Sequence, residues 1–127
     1  GGKIVRTIDD IEHLADTDCI VEKLIPFKNE LAVIVARNAD GETKTYPVVE
    51  MEFHPEANQV EYVICPARID KHIAEKAQKI ALQVAAAFKH VGVLAVELFQ
   101  IQEHIILDTT ALKQAIPINL NNISELF

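Results

Sequence analysis

Hydrophobic and polar positions along the chain predict several strands and one long amphipathic helix. Residues 31–36 and 93–99 are mostly apolar on both alternations, which predicts strands buried on both faces. Between them, apolar residues recur at helical spacing, so we expect a helix over residues 71–89 with Asp70 as its N-cap. The apolar stripe of this helix comprises Ile73, Ala77, Ile80, Ala81, Val84 and Phe88.

The remaining pattern predicts shorter elements joined by turns. We expect a short helix that starts at Asp9 or Asp10 and ends near residue 15, a hairpin turn at Gly41, and a break or sheet edge at Pro47. Further strands are predicted over residues 3–8, 19–25, 43–53, 60–65 and 105–107. This order favours an α+β fold, a mostly antiparallel sheet with one long amphipathic helix and one short helix on a face.

Composition narrows the possible classes of protein. The 127 residues carry a formal net charge of −7 and are half hydrophobic, as in a single globular domain. The acidic balance argues against a nucleic-acid partner, and neither a membrane span nor a signal peptide is evident. Cys19 and Cys65 lie in apolar segments, so we expect free buried thiols and a cytoplasmic location. Because the chain opens with two glycines and not with Met, we expect either an excerpt of a longer protein or a processed chain.

Three glutamates stand out because their strands are otherwise apolar. Glu22 and Glu97 lie inside such strands, and Glu30 opens the most apolar one. A buried carboxylate without a partner costs several kcal/mol, so each must face water, a cation or a ligand. A solvent-facing side chain is the simpler interpretation for any one of them. Glu97 is the strongest exception, since neither alternation of its strand offers a polar face.

Several basic residues leave two interpretations open. Lys3, after two glycines, could face a phosphate in a glycine-rich loop, or the three residues could carry no such role. Arg37 and Arg68 could bind phosphate or make ordinary surface salt bridges. The histidines show no zinc-ligand spacing, and the single serine, Ser124, has no nucleophile-elbow context.

Four segments in order resemble one known family. They are VEKLIPFKNELAVIVARN at residues 21–38, YPVVE at 46–50, CPAR at 65–68 and VGVLAVELF at 91–99. Together they resemble the ATP-grasp core of carboxyaminoimidazole ribonucleotide synthetase, the ATPase subunit of phosphoribosylaminoimidazole carboxylase in purine biosynthesis. The resemblance covers about residues 19–99 and implies a partial ATP-grasp domain over residues 1–110, followed by a divergent tail over 111–127.

The resemblance also implies ATP and Mg²⁺ as cofactors and assigns roles to individual residues. The backbone of Glu22, Lys23 and Leu24 would meet the adenine edge, Glu30 would accept the ribose hydroxyls, and Glu97 would bind Mg²⁺. Gly1-Gly2-Lys3 would correspond to a reduced phosphate-binding loop. The implied activity is phosphoryl transfer from ATP to bicarbonate, followed by carboxylation of aminoimidazole ribonucleotide.

One departure from the family pattern lies after the last strand. Where the family has an Asn-Glu pair that contributes the second magnesium ligand, this chain has Asp108 and Thr109. Asp108 could supply a substitute oxygen, but its strand parity predicts the opposite face of the sheet.

Two functions therefore remain open. The first is a part of the ATP-dependent synthetase that is not active alone. The alternative is a non-catalytic nucleotide-binding or structural interaction module derived from the ATP-grasp fold. An exposed apolar sheet face would favour a homo-oligomer in either case.

Overall fold

The computed structural model describes residues 4–12, 18–57 and 59–108. These residues form one antiparallel sheet in the order β4-β3-β1-β5-β6, with β2 also paired to β1, and two helices. The predicted α+β fold is therefore confirmed. The elements are α1 (Asp9–Glu12), β1 (Asn29–Arg37), β2 (Thr43–Thr45), β3 (Val49–Phe53), β4 (Val60–Ile64), α2 (Lys71–Ala87), β5 (Gly92–Ile101) and β6 (His104–Leu107). Within the described ranges, no helix combines the length and apolar character that a membrane crossing needs.

The hydrophobic core lies between α2 and one face of the sheet. β1 and β5 are its central strands and pair over nine residues, from Asn29 opposite Gln100 to Arg37 opposite Gly92. Since side chains alternate along a strand, every second residue of each points toward α2. The fully buried side chains include Leu31, Val33, Val96 and Leu98 from the strands and Ile73, Ala77, Ala81 and Val84 from the helix. Except for Ile80 and Phe88, which are partly buried, the predicted apolar stripe is fully buried.

The ends of α2 differ in detail from the prediction. Asp70 occupies the N-cap position, but its side chain makes no capping hydrogen bond; its backbone carbonyl accepts the N–H groups of Ile73 and Ala74 instead. The helix ends at Ala87, two residues earlier than predicted. Lys89 adopts a left-handed backbone conformation (φ 49°), which cannot continue a right-handed helix.

The predicted strand over residues 43–53 is divided into β2 and β3, and Pro47 lies in the gap between them. Proline has no N–H to donate to a ladder, so the predicted break is confirmed. Gly41 has φ 91° in the turn between β1 and β2, as expected for a tight hairpin.

Two predicted strands are wrong. Residues 4–8 and 18–27 belong to no strand, and Ile20 and Val21 are largely exposed. Apolar, β-branched sequence favours a strand only where a neighbouring strand supplies hydrogen-bond partners, and these segments have none in the described sheet. The expected buried thiols are also wrong, since Cys19 and Cys65 are both exposed. The predicted end of the first helix near residue 15 and a helix expected over 111–116 lie outside the described residues.

The second face of the sheet, which we call the open face, has no helix of the described residues over it. It carries the alternate side chains of the central strands, including Glu30, Ile34, Val93, Glu97 and Phe99. Val93 is 68% exposed and Ile106, on β6, is 41% exposed. The prediction that both central strands are buried on both faces is therefore wrong for β5, and Glu97 lies on the less covered side.

Candidate functional site

Three carboxylates converge on the open face, at Glu30, Glu97 and Asp108. One oxygen of each lies within 4.8 Å of one oxygen of the others. The strand register explains the first two: Glu30 lies opposite Phe99 and Glu97 opposite Ala32, so the two glutamates are diagonal neighbours on adjacent strands. Asp108 follows β6 directly, and its backbone N–H donates to the carbonyl of Glu97 at 2.9 Å. We refer to these three residues as the carboxylate cluster.

The position of Asp108 corrects the expectation that it faces the other side of the sheet. Leu98 pairs with Leu107, so the same register places Asp108 directly opposite Glu97. Residues directly opposite each other in an antiparallel pair share a face. The turn between β5 and β6 decides this register, with Gln102 in a left-handed conformation at φ 51°. Sequence spacing relative to a family pattern could not reveal it.

The two glutamates of the cluster hold their protons more tightly than an ordinary glutamate does. Burial, with the negative charges of Glu97 and Asp108, raises the pKa of Glu30 from 4.5 to about 7. Burial also raises the pKa of Glu97, and the charge of Asp108 adds to the effect. Half-buried carboxylates that repel one another hold protons near neutral pH unless a cation neutralises them.

A divalent cation fits this donor set. Mg²⁺ binds carboxylate oxygens at about 2.0–2.1 Å and Ca²⁺ at about 2.3–2.6 Å, so two oxygens of one ion can lie about 4–5 Å apart. One oxygen of each residue in the carboxylate cluster lies within 4.8 Å of the others, so their separations do not exceed the upper end of this range. Oxygen-only ligands favour such hard cations over zinc or copper.

An aromatic pair lies beside the cluster. The rings of Phe27 and Phe99 stack with centroids 4.9 Å apart and planes inclined by 24°. Phe99 is also the residue directly opposite Glu30 across the β1–β5 ladder. The open face thus offers a flat apolar surface next to carboxylate oxygens, a combination suited to a ligand with a planar ring and polar substituents.

A groove of about 420 Å³ continues from Glu30 along the end of the sheet. It is lined by Phe27, Lys28, Asn29, Glu30, Glu50, Met51, Glu52, Phe53 and Arg68. Arg68 donates hydrogen bonds to the Glu50 carboxylate from Nε at 3.1 Å and from Nη2 at 2.8 Å, and Nη2 also donates to Glu52. These hydrogen bonds lower the pKa of Glu50. Of the two interpretations of Arg68, the structure therefore supports ion pairing. No pattern in the sequence predicts that Glu50 is buried.

Of the other predicted site residues, those that the structure describes are not members of this cluster. Glu22, Lys23 and Leu24 are exposed in a segment without regular secondary structure. Lys3 lies outside the described residues. Arg37 is at the far end of β1, where its Nη1 donates to the backbone carbonyl of His90 at 3.3 Å.

Comparison with known proteins identifies relatives over most of the chain. N5-carboxyaminoimidazole ribonucleotide synthase of Bacillus subtilis is 43% identical over 81 residues, covering 64% of this chain and 21% of the relative. The same enzyme of Synechocystis is 38% identical over 103 residues, covering 78% of this chain and 26% of the relative. The chain thus spans about a quarter of the length of these curated relatives.

Solved structures give the same result. N5-carboxyaminoimidazole ribonucleotide synthetase from Thermotoga maritima matches with a TM-score of 0.67 and 35% identity, over 80% of this chain and 26% of that one. An ADP complex of such a synthetase matches with a TM-score of 0.64 and 39% identity, over 68% of this chain and 23% of the other. The resemblance found from the four sequence segments is confirmed. The ATP-grasp domain family matches residues 1–114, and the chain belongs to that family.

Proposed function

We propose that this chain provides the metal-binding face of an ATP site within an N5-carboxyaminoimidazole ribonucleotide synthase. The observation that carries this proposal is the convergence of Glu30, Glu97 and Asp108 on one face of an ATP-grasp sheet. Their oxygens fit a hard divalent cation, and ATP is commonly bound with Mg²⁺ shared between carboxylates and phosphates.

Each residue of the cluster has a distinct proposed role. Glu97 and Asp108 would hold Mg²⁺, which when bound neutralises charge on the phosphates of ATP. Glu30 would accept the ribose hydroxyls, as its position in the family pattern implies. The raised pKa of Glu30 keeps it partly protonated at neutral pH, which reduces its repulsion of the two metal ligands. The Phe27–Phe99 pair would pack against the base.

Calorimetric titration with ATP and Mg²⁺ tests this proposal on the full 127-residue chain. Glu97→Gln should weaken binding by about tenfold or more, because the amide cannot replace the charge that the cation requires. Glu75→Gln is the matched control, since Glu75 is an exposed residue of α2 paired with Lys71. Equal affinities for wild type and a folded Glu97→Gln variant would contradict the proposal, as would a folded wild type that binds no nucleotide.

A second candidate, nucleotide binding without turnover, is favoured by the sequence after β6. Asp108-Thr109 stands where the family has its Asn-Glu pair, and the chain spans only about a quarter of its relatives. We therefore expect this chain alone to show no bicarbonate-dependent ATP hydrolysis. Release of phosphate that depends on bicarbonate and is lost in Glu97→Ala would overturn that expectation. A cytoplasmic location and self-association through the open face remain predictions; size-exclusion chromatography with light scattering tests the latter.

A further inference from the structure

Two polar side chains are buried in the described part of the molecule; one lines the groove, and the other is hydrogen-bonded to two residues that line it. Glu50, on β3, is 6% exposed, and Gln100, on β5, is 4% exposed. Burying a polar side chain is unfavourable unless its hydrogen bonds are satisfied, so such residues generally hold something in place. The hydrogen-bond partners of Glu50 and Gln100 show which segments of the chain these two residues hold in place.

Gln100 fixes the wall of the groove formed by residues 27–30. Its side-chain oxygen accepts from Nδ2 of Asn29 at 2.9 Å, and its backbone carbonyl accepts from the N–H of Lys28 at 2.7 Å. Its side-chain nitrogen donates to the carbonyl of Gln102 at 2.9 Å, which ties the same residue to the β5–β6 turn. The start of β1, which carries Glu30, is thereby held against β5.

Glu50 fixes the opposite wall, formed by residues 50–53. Its two carboxylate oxygens accept three hydrogen bonds from Arg68, from Nε, Nη2 and the backbone N–H. Since Nη2 of Arg68 also contacts Glu52, one guanidinium holds two residues of β3 on the same face. The end of β3 is thereby attached to the segment between β4 and α2.

The two walls of the groove meet where Glu30 of β1 pairs with Met51 of β3. The two strands pair over only three residues, Glu30 to Ala32 on β1 and Val49 to Met51 on β3. Beyond Met51, β3 continues along β4, whereas β1 is joined to β5 up to Asn29. Beyond the Glu30–Met51 pair, no β1–β3 ladder sets the width of the gap. There, the width depends on the hydrogen bonds that hold each wall separately.

We propose that Glu50 and Gln100 are positioning residues that set the width of this groove and, through it, the affinity of the adjoining site for nucleotide. The inference rests on the proposed function, because it takes nucleotide as the ligand that Glu30 meets. Neither residue needs to touch the ligand. Each acts through a partner, Arg68 or Asn29, so that the groove is formed before binding and little ordering accompanies it.

The test compares affinity with stability in matched variants. Gln100→Leu keeps the size of the side chain but removes its side-chain hydrogen bonds to Asn29 and to the carbonyl of Gln102, and leaves the backbone bond to Lys28 in place. Gln78→Leu is its control, because Gln78 is a half-buried residue of α2 that donates to the carbonyl of Tyr46, outside this groove. A second variant, Glu50→Gln with Arg68→Gln, removes both charges together and leaves no unpaired carboxylate buried.

Binding of ADP with Mg²⁺ is measured by calorimetry well below each variant's melting temperature. We expect both groove variants to bind about tenfold more weakly, whereas Gln78→Leu loses stability but keeps its affinity. A merely structural role would lower the melting temperature without changing the affinity of the folded molecules. Unchanged affinity in a folded groove variant overturns the inference and leaves the proposed function intact. A wild type that binds no ADP overturns both.

Hydrogen exchange on the wild type decides the matter if neither variant folds. ADP should slow amide exchange at both walls, residues 28–30 and 51–53, because a ligand in the groove restrains them together. Exchange that is unchanged at either wall would overturn the inference, since that wall would then not respond to the ligand.

Discussion

The two faces of the sheet are formed by the same strands, but one face is packed against α2 and the other carries a charged site. On the face under α2, β1 and β5 present aliphatic side chains that are fully buried, among them Leu31, Val33, Val96 and Leu98. On the open face, the alternate positions of those strands carry Glu30, Glu97 and exposed apolar residues such as Val93. Because side chains alternate along a strand, one pair of strands can stabilise the fold and still present a charged site.

Acidic groups on the two faces also differ in what surrounds their charge. Glu50, on the helix side, is held ionised by Arg68, which lowers its pKa. Glu30 and Glu97, on the open face, lie near each other and near Asp108, and their pKa values are raised. A satisfied ion pair supports the structure, whereas carboxylates that repel one another are suited to a cation supplied from outside.

The largest expected effect is on the free energy of unfolding, which should respond differently to substitutions on the two faces. Leu98→Ala should lower the free energy of unfolding by about 2–5 kcal/mol, because it leaves a cavity in a fully buried position. Val93→Ala, on the same strand but 68% exposed, should change it by less than about 0.5 kcal/mol. Urea unfolding followed by circular dichroism measures both. Similar losses for the two variants would mean that the open face is covered in solution.

The next effect concerns the cation. Asp108→Asn should weaken binding of Mn²⁺, measured by electron paramagnetic resonance, by about tenfold, because a neutral amide replaces a charged ligand. Asp40→Asn, in the exposed turn between β1 and β2, is the control and should leave Mn²⁺ affinity unchanged. If Asp108→Asn binds Mn²⁺ as tightly as wild type, Asp108 is not a ligand of the cation.

The smallest expected effect is on the pH dependence of stability, and its sign differs between the faces. Burial raises the pKa of Glu30 from its ordinary 4.5 to about 7 in the folded state, so the folded state binds the proton more tightly. Stability should therefore fall as the pH rises from about 4.5 to 7, and Glu30→Gln should flatten this slope. Urea unfolding at pH 5 and pH 7.5 measures the change. A slope identical to that of wild type would show that Glu30 is not perturbed.

Glu50 should behave in the opposite way. Its pKa is lowered by Arg68, so its stabilising contribution is present above its ordinary value of 4.5 and is lost as the pH falls through the lower folded value. Glu50→Gln should therefore cost more stability at pH 7.5 than at pH 3. Equal costs at the two pH values would mean that the Glu50–Arg68 pair contributes no charge-dependent stability.

The local sequence pattern was sufficient to predict an element when the residues of that element alone determine its structure. The periodicity of apolar residues identified α2, Pro47 identified the break between β2 and β3, and Gly41 identified the first hairpin turn. The local pattern was insufficient to predict a strand, because a strand forms only beside a neighbouring strand. Residues 19–25 have a strand-like composition but form no strand, because no strand of the described sheet lies beside them.

Some residues of the candidate site could likewise be identified from the sequence, whereas others could not. An acidic residue inside an apolar strand is visible in the sequence, and Glu97 and Glu30 were identified from it. Glu50, Gln100 and the Phe27–Phe99 stack were not identified, because their importance comes from residues distant in the chain. Asp108 was placed on the wrong face, since the register of β5 and β6 is not determined by spacing alone.

The sequence by itself determined the family, the class of fold and which strands carry carboxylates, because motifs and periodicity are local properties of the chain. Only the tertiary structure decided that Glu30, Glu97 and Asp108 share one face and that a groove opens between β1 and β3. Both features depend on strand register and on hydrogen bonds between distant segments. Those interactions form only when the sheet assembles against α2.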